Sequence, residues 1–181
     1  MNRKEFLNKT FISAVVLINQ NSILGEGLLD SDAKSKLLSA KTLEELKLQL
    51  IQNQSLILSL EQSGQWPIGK VLSHCAQSIE YSLDGFPESK SVIFQNTIGS
   101  LAFGIFSIRG KMNHGLTEPI PGASELLDEP SLGMKRLIVA LEKFEKVNSD
   151  ILKPHFAYGK LDKADYAMAH KMHIQNHLEA F

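Results

Sequence analysis

The chain is poor in cysteine. Its 181 residues include one cysteine, Cys75, so neither an intrachain disulfide nor a zinc cluster built from thiolates can form within it. Any metal ion must therefore be held by histidine or by carboxylate side chains. Whatever stabilises the fold is expected to be an ordinary hydrophobic core.

The chain also has no large excess of positive or negative charge. The 19 Lys and Arg residues are balanced by 20 Asp and Glu residues, which gives a formal net charge of -1. Nothing global attracts such a chain to nucleic acid or to an anionic membrane surface, and we expect no nucleic acid partner. A hydrophobic share of 43% and a charged share of 22% are typical of a globular protein. The length suits one well-buried core.

The N-terminus lacks a full arginine pair. Residues 2–9 precede an apolar stretch at residues 11–18 and resemble a twin-arginine export signal in which Arg3-Lys4 replaces the pair. The alternative is an extra amphipathic helix that packs on the domain. Two locations stay open, cytoplasmic or exported through that degenerate signal. The stretch is too short to span a bilayer, so no membrane span is expected. We treat residues 1–40 as an N-terminal extension and residues 41–181 as the domain.

The hydrophobic periodicity of the domain predicts an all-α fold. Thr42, with Glu45 three residues later, has the spacing of a capping box, and Asp162 is predicted to cap the last helix. Residues 92–108 are apolar nearly all round and are predicted to form a buried helix whose glycines allow close packing. The predicted helices are residues 42–60, 67–83, 92–108, 131–147 and 163–180, joined by a long loop at 110–130 and a shorter connection at 153–159.

Histidine is concentrated near the C-terminus. Three of the six histidines, His170, His173 and His177, fall in the last twelve residues. Residues four apart lie on one face of a helix, so His173 and His177 can reach a single metal ion. His170 lies on much the same face, and spacing alone leaves open which two of the three would bind. His74 is the only histidine inside another predicted helix, where its apolar neighbours make an unpartnered imidazole costly.

Three neutral imidazoles around one ion leave at least one coordination position open, as catalytic sites do. Zinc, nickel and ferrous iron all accept such ligands, and a divalent metal of this kind lowers the pKa of water or of a substrate thiol. The alternative for His74 is a core histidine that is hydrogen-bonded to Gln77, to Ser78 or to a backbone carbonyl. Sequence reasoning does not separate these two interpretations.

The remaining histidines have simpler interpretations. His114 lies in the long loop near Arg109 and Lys111, and such a basic cluster either binds an anionic substrate at a pocket mouth or belongs to a solvated loop. His155 follows Pro154 and is expected to fix the start of the last helix through packing and a backbone hydrogen bond. Neither residue is predicted to bind metal.

Three segments carry a family resemblance: QWPIGKVLSHCAQSIEYSLDG, GKMNHGLTEPIPGA and HFAYGKLDKADYAMAHKMHIQNHLEAF. Over residues 41–181 the chain resembles an uncharacterised bacterial family within the DinB-like, YfiT-type superfamily of metalloenzymes. The resemblance implies a four-helix bundle with a long crossover loop, and it implies His74, His173 and His177 as the metal ligands. Because the superfamily includes thiol-dependent S-transferases and an isomerase, it also implies a low-molecular-weight thiol as a partner.

Three functions follow from these features. The first is a metal-dependent enzyme, an S-transferase or a hydrolase, which activates a thiol or water for transfer to a small electrophile, with His170 as a candidate base. The second is a non-catalytic metal-binding or stress-associated helical protein. The third has no metal and uses the last-helix histidines as a polar seam or as the surface of a homodimer.

Overall fold

The computed structural model describes residues 31–60 and 66–181, and within these ranges the chain is helical with no β-strand. The predicted all-α class is therefore confirmed. The arginine-containing segment near the N-terminus lies outside the described residues, so its two interpretations stay open. The seven helices of the described ranges are α1 (Ser31–Ser39), α2 (Leu43–Gln52), α3 (Gln54–Leu58), α4 (Ile68–Asp84), α5 (Val92–Arg109), α6 (Pro130–Lys146) and α7 (Lys163–Leu178).

Side-chain caps set two of the helix starts where the sequence predicted them. The Thr42 hydroxyl accepts a hydrogen bond from Glu45 N–H at the start of α2, and Asp162 accepts one from Asp165 N–H at the start of α7. The predicted helix at 42–60 is instead divided at Asn53, whose Nδ2 donates to the carbonyl oxygen of Gln49 at 2.8 Å. Such a local side-chain bond competes with continuation of the helix.

Helices α4 and α6 lie unusually close together. A Cβ atom on Gly133 would lie 2.5 Å from the carbonyl oxygen of Gly69, and one on Gly69 would lie 2.0 Å from that of Asp128. The two glycines thus allow backbone-to-backbone contact. The contact is secured by Arg136 of α6, whose guanidinium donates to the Glu80 carboxylate at 2.6 Å and to the Ser73 hydroxyl at 3.0 Å. These contacts fix the position of helix α4 relative to α6.

Helix α7 runs through the interior and is buried on most of its circumference. Tyr166, Met172 and Leu178 are at most 1% exposed. Gln175 also holds α1 in place, because its Nε2 donates to the carbonyl oxygens of Leu37 and Ala40. A helix in this position brings its polar side chains, including the histidines, into a water-poor environment.

Helix α5 corrects one prediction. The segment is helical, with a π-helical segment at Gln95–Gly99, but it is not a buried helix, because Val92 is 69% and Ile108 is 89% exposed. An apolar sequence shows that a helix could be buried. It does not show whether another part of the chain packs against that helix. By length and composition α5 could cross a bilayer, a test that core helices and signal sequences also pass, so it is weak evidence for a span. The expected absence of a span stays a prediction.

The connection from α5 to α6 covers one end of α4 and α7. It contains no helix between Arg109 and Pro130, as the sequence predicted, and it turns Met112 and Ile120 into the interior. Ser124 accepts hydrogen bonds from Gln77 Nε2 at 3.2 Å through its carbonyl and hydroxyl oxygens. This anchoring holds the loop against α4, beside the histidines of α7.

Candidate metal centre

Four histidines from three parts of the chain converge on one point. His74 comes from α4, His173 and His177 come from α7, and His114 comes from the long connection. Each contributes one ring nitrogen to a group in which all of these atoms lie within 4.8 Å of one another. The predicted convergence of His74 with the H-x-x-x-H pair is present, and His114 joins it as a fourth member. This set could hold a metal ion.

The rings meet in T-shaped contacts, with planes at 68–82° to one another. His74 and His114 each lie 4.8–4.9 Å, centroid to centroid, from both rings of α7. The Nε2 atoms of His74 and His173 are 3.1 Å apart. Two unprotonated imidazole nitrogens repel each other at this distance, so either one carries a proton or a cation lies close to both.

Several of these polar atoms have no hydrogen-bond partner in the described chain. They are the Nδ1 atoms of His74 and His114 and the Nε2 atom of His177. Leaving buried polar atoms unpaired is costly, and such atoms are few in folded proteins. A cation bound by Nε2 of His177 and Nδ1 of His114 would remove two of the three unpaired atoms, which makes this donor set fit a metal better than it fits a self-contained core.

Electrostatics favour the same conclusion. Burial, and next the proximity of His114, lowers the pKa of His74 to about 4. Burial, with smaller contributions from His74 and His114, lowers the pKa of His177 to about 2, and burial also lowers the pKa values of His173 and His114. All four rings are therefore neutral near neutral pH, which is the form that binds metal ions.

The His74–His173 distance suits a tetrahedral first-row divalent ion. Bonds of about 2.1 Å to imidazole place neighbouring nitrogen atoms of such a site about 3.4 Å apart, near the 3.1 Å between the Nε2 atoms of His74 and His173. The 4.8 Å limit of the group is wider, so the more distant rings would have to move inward around a bound ion. Zinc, nickel and ferrous iron accept imidazole ligands. Cys75 follows His74 directly but is fully buried elsewhere in the core, where burial raises the pKa of its thiol. It is not a member of the group.

A cavity of about 240 Å³ opens beside the histidines. His74, His114 and His173 contribute to its wall, so a ligand in the cavity would reach the donor atoms from this side. The rest of the lining combines apolar and polar side chains in equal number. The other lining residues are Ser78, Lys90, Met112, Glu118, Pro119, Ile120, Pro121, His155, Phe156, Tyr158, Ala169 and His170.

His170 lines the same cavity but lies outside the four-histidine group. Its Nε2 is 3.2 Å from the Ser82 hydroxyl oxygen, and that hydroxyl donates its own proton to the carbonyl oxygen of Ile79 at 2.6 Å. Ser82 therefore accepts from His170, which places the proton of the neutral ring on Nε2 and leaves Nδ1 as a free acceptor. Burial lowers the pKa of His170 to about 3.

The other sequence expectations have mixed outcomes. His74 does not bond to Gln77, because Gln77 is bonded to Ser124. Arg109 and Lys111 do not line the cavity, and Lys111 pairs with Glu179 at 2.6 Å. Both side chains are exposed, which fits the interpretation of this basic cluster as a solvated loop and not the one as a pocket mouth.

Backbone contacts explain His155 and His114. The Nδ1 atom of His155 accepts from Ala157 N–H and Tyr158 N–H, a structural role like the one expected. His114 was missed as a candidate ligand because loop residues have no periodicity to place them. Its backbone N–H donates to the side chain of Asn176, one residue before His177, and Met112, two residues before His114, is buried. An apolar residue in a polar loop was the one signal that the sequence offered.

Comparison with known proteins identifies a family. The model of a family described as a protein of unknown function (DUF1569) matches residues 37–181. Neither the curated proteins nor the solved structures contain a match to the chain. The coarser part of the sequence resemblance, to an uncharacterised domain family, is therefore confirmed.

Proposed function

Because the chain belongs to the family of unknown function DUF1569, we propose a function from its own residues: a metal-dependent enzyme that binds one divalent cation through His74, His114, His173 and His177. The observation that carries this proposal is the convergence of four neutral imidazoles, three of which (His74, His114 and His173) line a cavity. Zinc, nickel or ferrous iron is the expected cofactor.

The fold is proposed to be a DinB-like four-helix bundle with a crossover. In this interpretation the α2–α3 pair, α4, α6 and α7 form the bundle, and the connection from Arg109 to Pro130 is the crossover. Two features support the assignment: the position of His74 on α4 and the His173–His177 spacing on the last helix. The bundle explains why one histidine helix lies against the other.

The cavity determines which molecules could reach the proposed metal centre and react there. A divalent cation held there would lower the pKa of a thiol or of water that enters the cavity, so that a nucleophile forms near neutral pH. Transfer to a small electrophile, by an S-transferase or a hydrolase, fits a cavity of about 240 Å³ with both apolar and polar side chains in its lining. A low-molecular-weight thiol is the proposed partner of the reaction.

His170 is the proposed base. Its Nε2–H is committed to the Ser82 hydroxyl, so Nδ1 is the atom that accepts a proton from the nucleophile. Because burial lowers the pKa of His170 to about 3, it is a weak base and acts only on a nucleophile whose own pKa the cation has lowered. The ring is held by stacking on Tyr166, at 5.3 Å between centroids. Ser82 thus acts as a positioning residue, because it fixes which ring nitrogen is free.

A non-catalytic metal-binding protein is the second candidate, and His114 is the observation that favours it. A fourth imidazole leaves fewer coordination positions open than the three expected from the sequence. Such a protein would hold the ion and would not turn over a thiol with an electrophile.

Metal analysis of the full chain, purified without a histidine tag, tests the proposal. We expect about one divalent ion per chain in the wild type, strong loss of the ion in His74→Ala, and retention in His170→Asn, which lies one turn from the ligands. Incubation of the loaded protein with a small thiol and an electrophile then separates the two candidates. A wild type that stays empty after incubation with zinc, nickel and ferrous iron would refute both.

A further inference from the structure

Helix α5 presents an apolar stripe that no other part of the described chain covers. Its large aliphatic side chains are between 39% and 89% exposed. The stripe consists of Ile93, Ile98, Leu101, Ile105 and Ile108, with Val92 beside it. Continuous exposed aliphatic surface of this kind marks an interaction site more often than a free surface.

The spacing of the stripe is that of a helix pair. Ile98, Leu101, Ile105 and Ile108 follow one another at intervals of three, four and three residues, which is the repeat of a two-helix seam. Ile93 precedes Ile98 by five residues, and the π-helical segment Gln95–Gly99 begins after Ile93 and includes Ile98. Because a π turn contains one more residue than an α turn, it keeps Ile93 on the same stripe.

Gly104 is a second, independent feature of this face. A Cβ atom built there meets nothing within 4 Å in the described chain, whereas one on Gly99 would collide with the carbonyl oxygen of Ala157 at 1.9 Å. A close contact within the described chain thus explains why residue 99 is a glycine. No contact of this kind explains the glycine at position 104. A glycine beside a seam allows the backbone of a partner helix to come close.

We propose that the α5 stripe is the self-association surface of this protein, on which the same helix of a second copy packs to form a closed twofold dimer. Identical apolar stripes pair without charge repulsion, because residues 92–108 include no charged side chain. In a twofold interface each patch is its own complement. Leu101, near the middle of the stripe, then lies closest to its own counterpart.

The stripe supplies most of the non-polar area that such a dimer needs. A fully exposed aliphatic side chain carries on the order of 100 Å² of surface, so the stripe with Val92 offers about 400 Å² per copy. A standard interface buries about 800 Å² per partner, of which slightly more than half is non-polar. A lipid surface is the less suitable occupant, because helices that lie on membranes carry a strongly charged polar face, whereas the face opposite the stripe contains Phe103 and packs into the protein.

The mass of the full chain in solution tests the proposal. We expect twice the 20.1 kDa of one chain by light scattering, and a single mass of 20.1 kDa for Leu101→Glu. The matched control is Leu48→Glu, which changes a leucine of similar chemistry on α2 that is 49% exposed and leaves the dimer intact. Gly104→Leu is also expected to yield monomer while it keeps the helix content, since its new side chain meets only the partner.

Oxidative crosslinking gives a second measurement. Leu101→Cys should form a disulfide-linked dimer, and Leu48→Cys should not, because Leu48 lies outside the stripe. The natural Cys75 is 1% exposed and does not compete in this reaction. A full chain that is monomeric at every concentration would overturn the proposal. So would assemblies larger than a dimer, a mass unchanged by Leu101→Glu, or a monomer that sediments with anionic lipid vesicles through Leu101.

Discussion

The Nε2 atoms of His74 and His173 lie 3.1 Å apart although the two residues are 99 positions apart in the chain. This distance depends on the close contact of α4 with α6 and on the buried course of α7, which together fix both rings. The packing of α4, α6 and α7 therefore determines the geometry of the proposed metal site.

His114 is predicted to be a ligand in addition to the three histidines expected from the sequence. His114→Ala should weaken binding of zinc or nickel by at least about tenfold to 100-fold, since even outer partners of a ligand contribute that much. Isothermal titration with the metal alone measures the change. The control is His170→Asn, which lines the same cavity and should keep wild-type affinity; equal affinities in all three proteins would remove His114 from the site.

Metal removal is predicted to lower thermal stability. A ligand present at about 100 times its Kd stabilises a folded protein by about 2.7 kcal/mol, which corresponds to about 5–10 °C in the Tm of a chain of this size. Calorimetry of the loaded and chelator-treated wild type should show this shift. His173→Ala should show none, and a wild-type Tm that is insensitive to the chelator would contradict the prediction.

Stability of the metal-free protein is predicted to fall in acid. Burial, and next the proximity of His170, lowers the pKa of His155 to about 3, whereas the same side chain in the unfolded chain titrates near about 6.5. The unfolded chain therefore binds more protons below about pH 6.5, and the free energy of unfolding decreases towards about pH 3, by about 1.4 kcal/mol per pH unit for this residue.

His155→Asn isolates that contribution. The asparagine Oδ1 takes the place of Nδ1 and can still accept from the Ala157 and Tyr158 N–H groups, but it does not titrate. Urea unfolding of both proteins across this pH range should give a shallower pH dependence for the variant. Parallel curves would show that His155 is not the group responsible.

Gly133 is predicted to be required for the contact between α4 and α6. Its substitution by alanine would place Cβ 2.5 Å from the carbonyl oxygen of Gly69 and should destabilise the protein by about 1–3 kcal/mol. Metal affinity should fall as well, because α4 carries His74. Lys135→Ala, at an exposed position on the same helix, should change stability by less than about 0.5 kcal/mol.

His170 is predicted to affect turnover without affecting metal content. Once a thiol and an electrophile that react are found, His170→Gln should lower kcat by about tenfold to 100-fold, at or below the lower end of the usual contribution of a general base, because burial lowers the pKa of His170 to about 3. Ser82→Ala should cause a smaller loss, because the ring keeps its position on Tyr166 but loses the bond that fixes its tautomer. Unchanged kcat in His170→Gln would assign this histidine to packing alone.

The sequence predicted the parts of this protein that local chemistry determines. Thr42 and Asp162 cap helices as expected, and the His173–His177 spacing places two rings side by side. Asn53 shows the limit, because a hydrophobic stripe at 42–60 does not report that one amide will bond to Gln49 and divide the helix.

Two other features depend on contacts between distant residues. The position of His114 is set by its bond to Asn176 and by the burial of Met112, neither of which has a periodic signal. Helix α5 would need the same apolar side chains whether its surface packed against the rest of the same chain or against a second copy of the protein. Sequence alone therefore could not predict that its Ile93 and Ile108 are exposed.

X-ray absorption at the metal edge of the zinc- or nickel-loaded full chain tests the four-histidine centre most directly. The expected spectrum has nitrogen neighbours at about 2.1 Å, with the outer-shell scattering of about four imidazoles, and this scattering decreases in His114→Ala and in His74→Ala. A spectrum dominated by oxygen neighbours, with no imidazole scattering and no change in these variants, would show that the ion lies elsewhere.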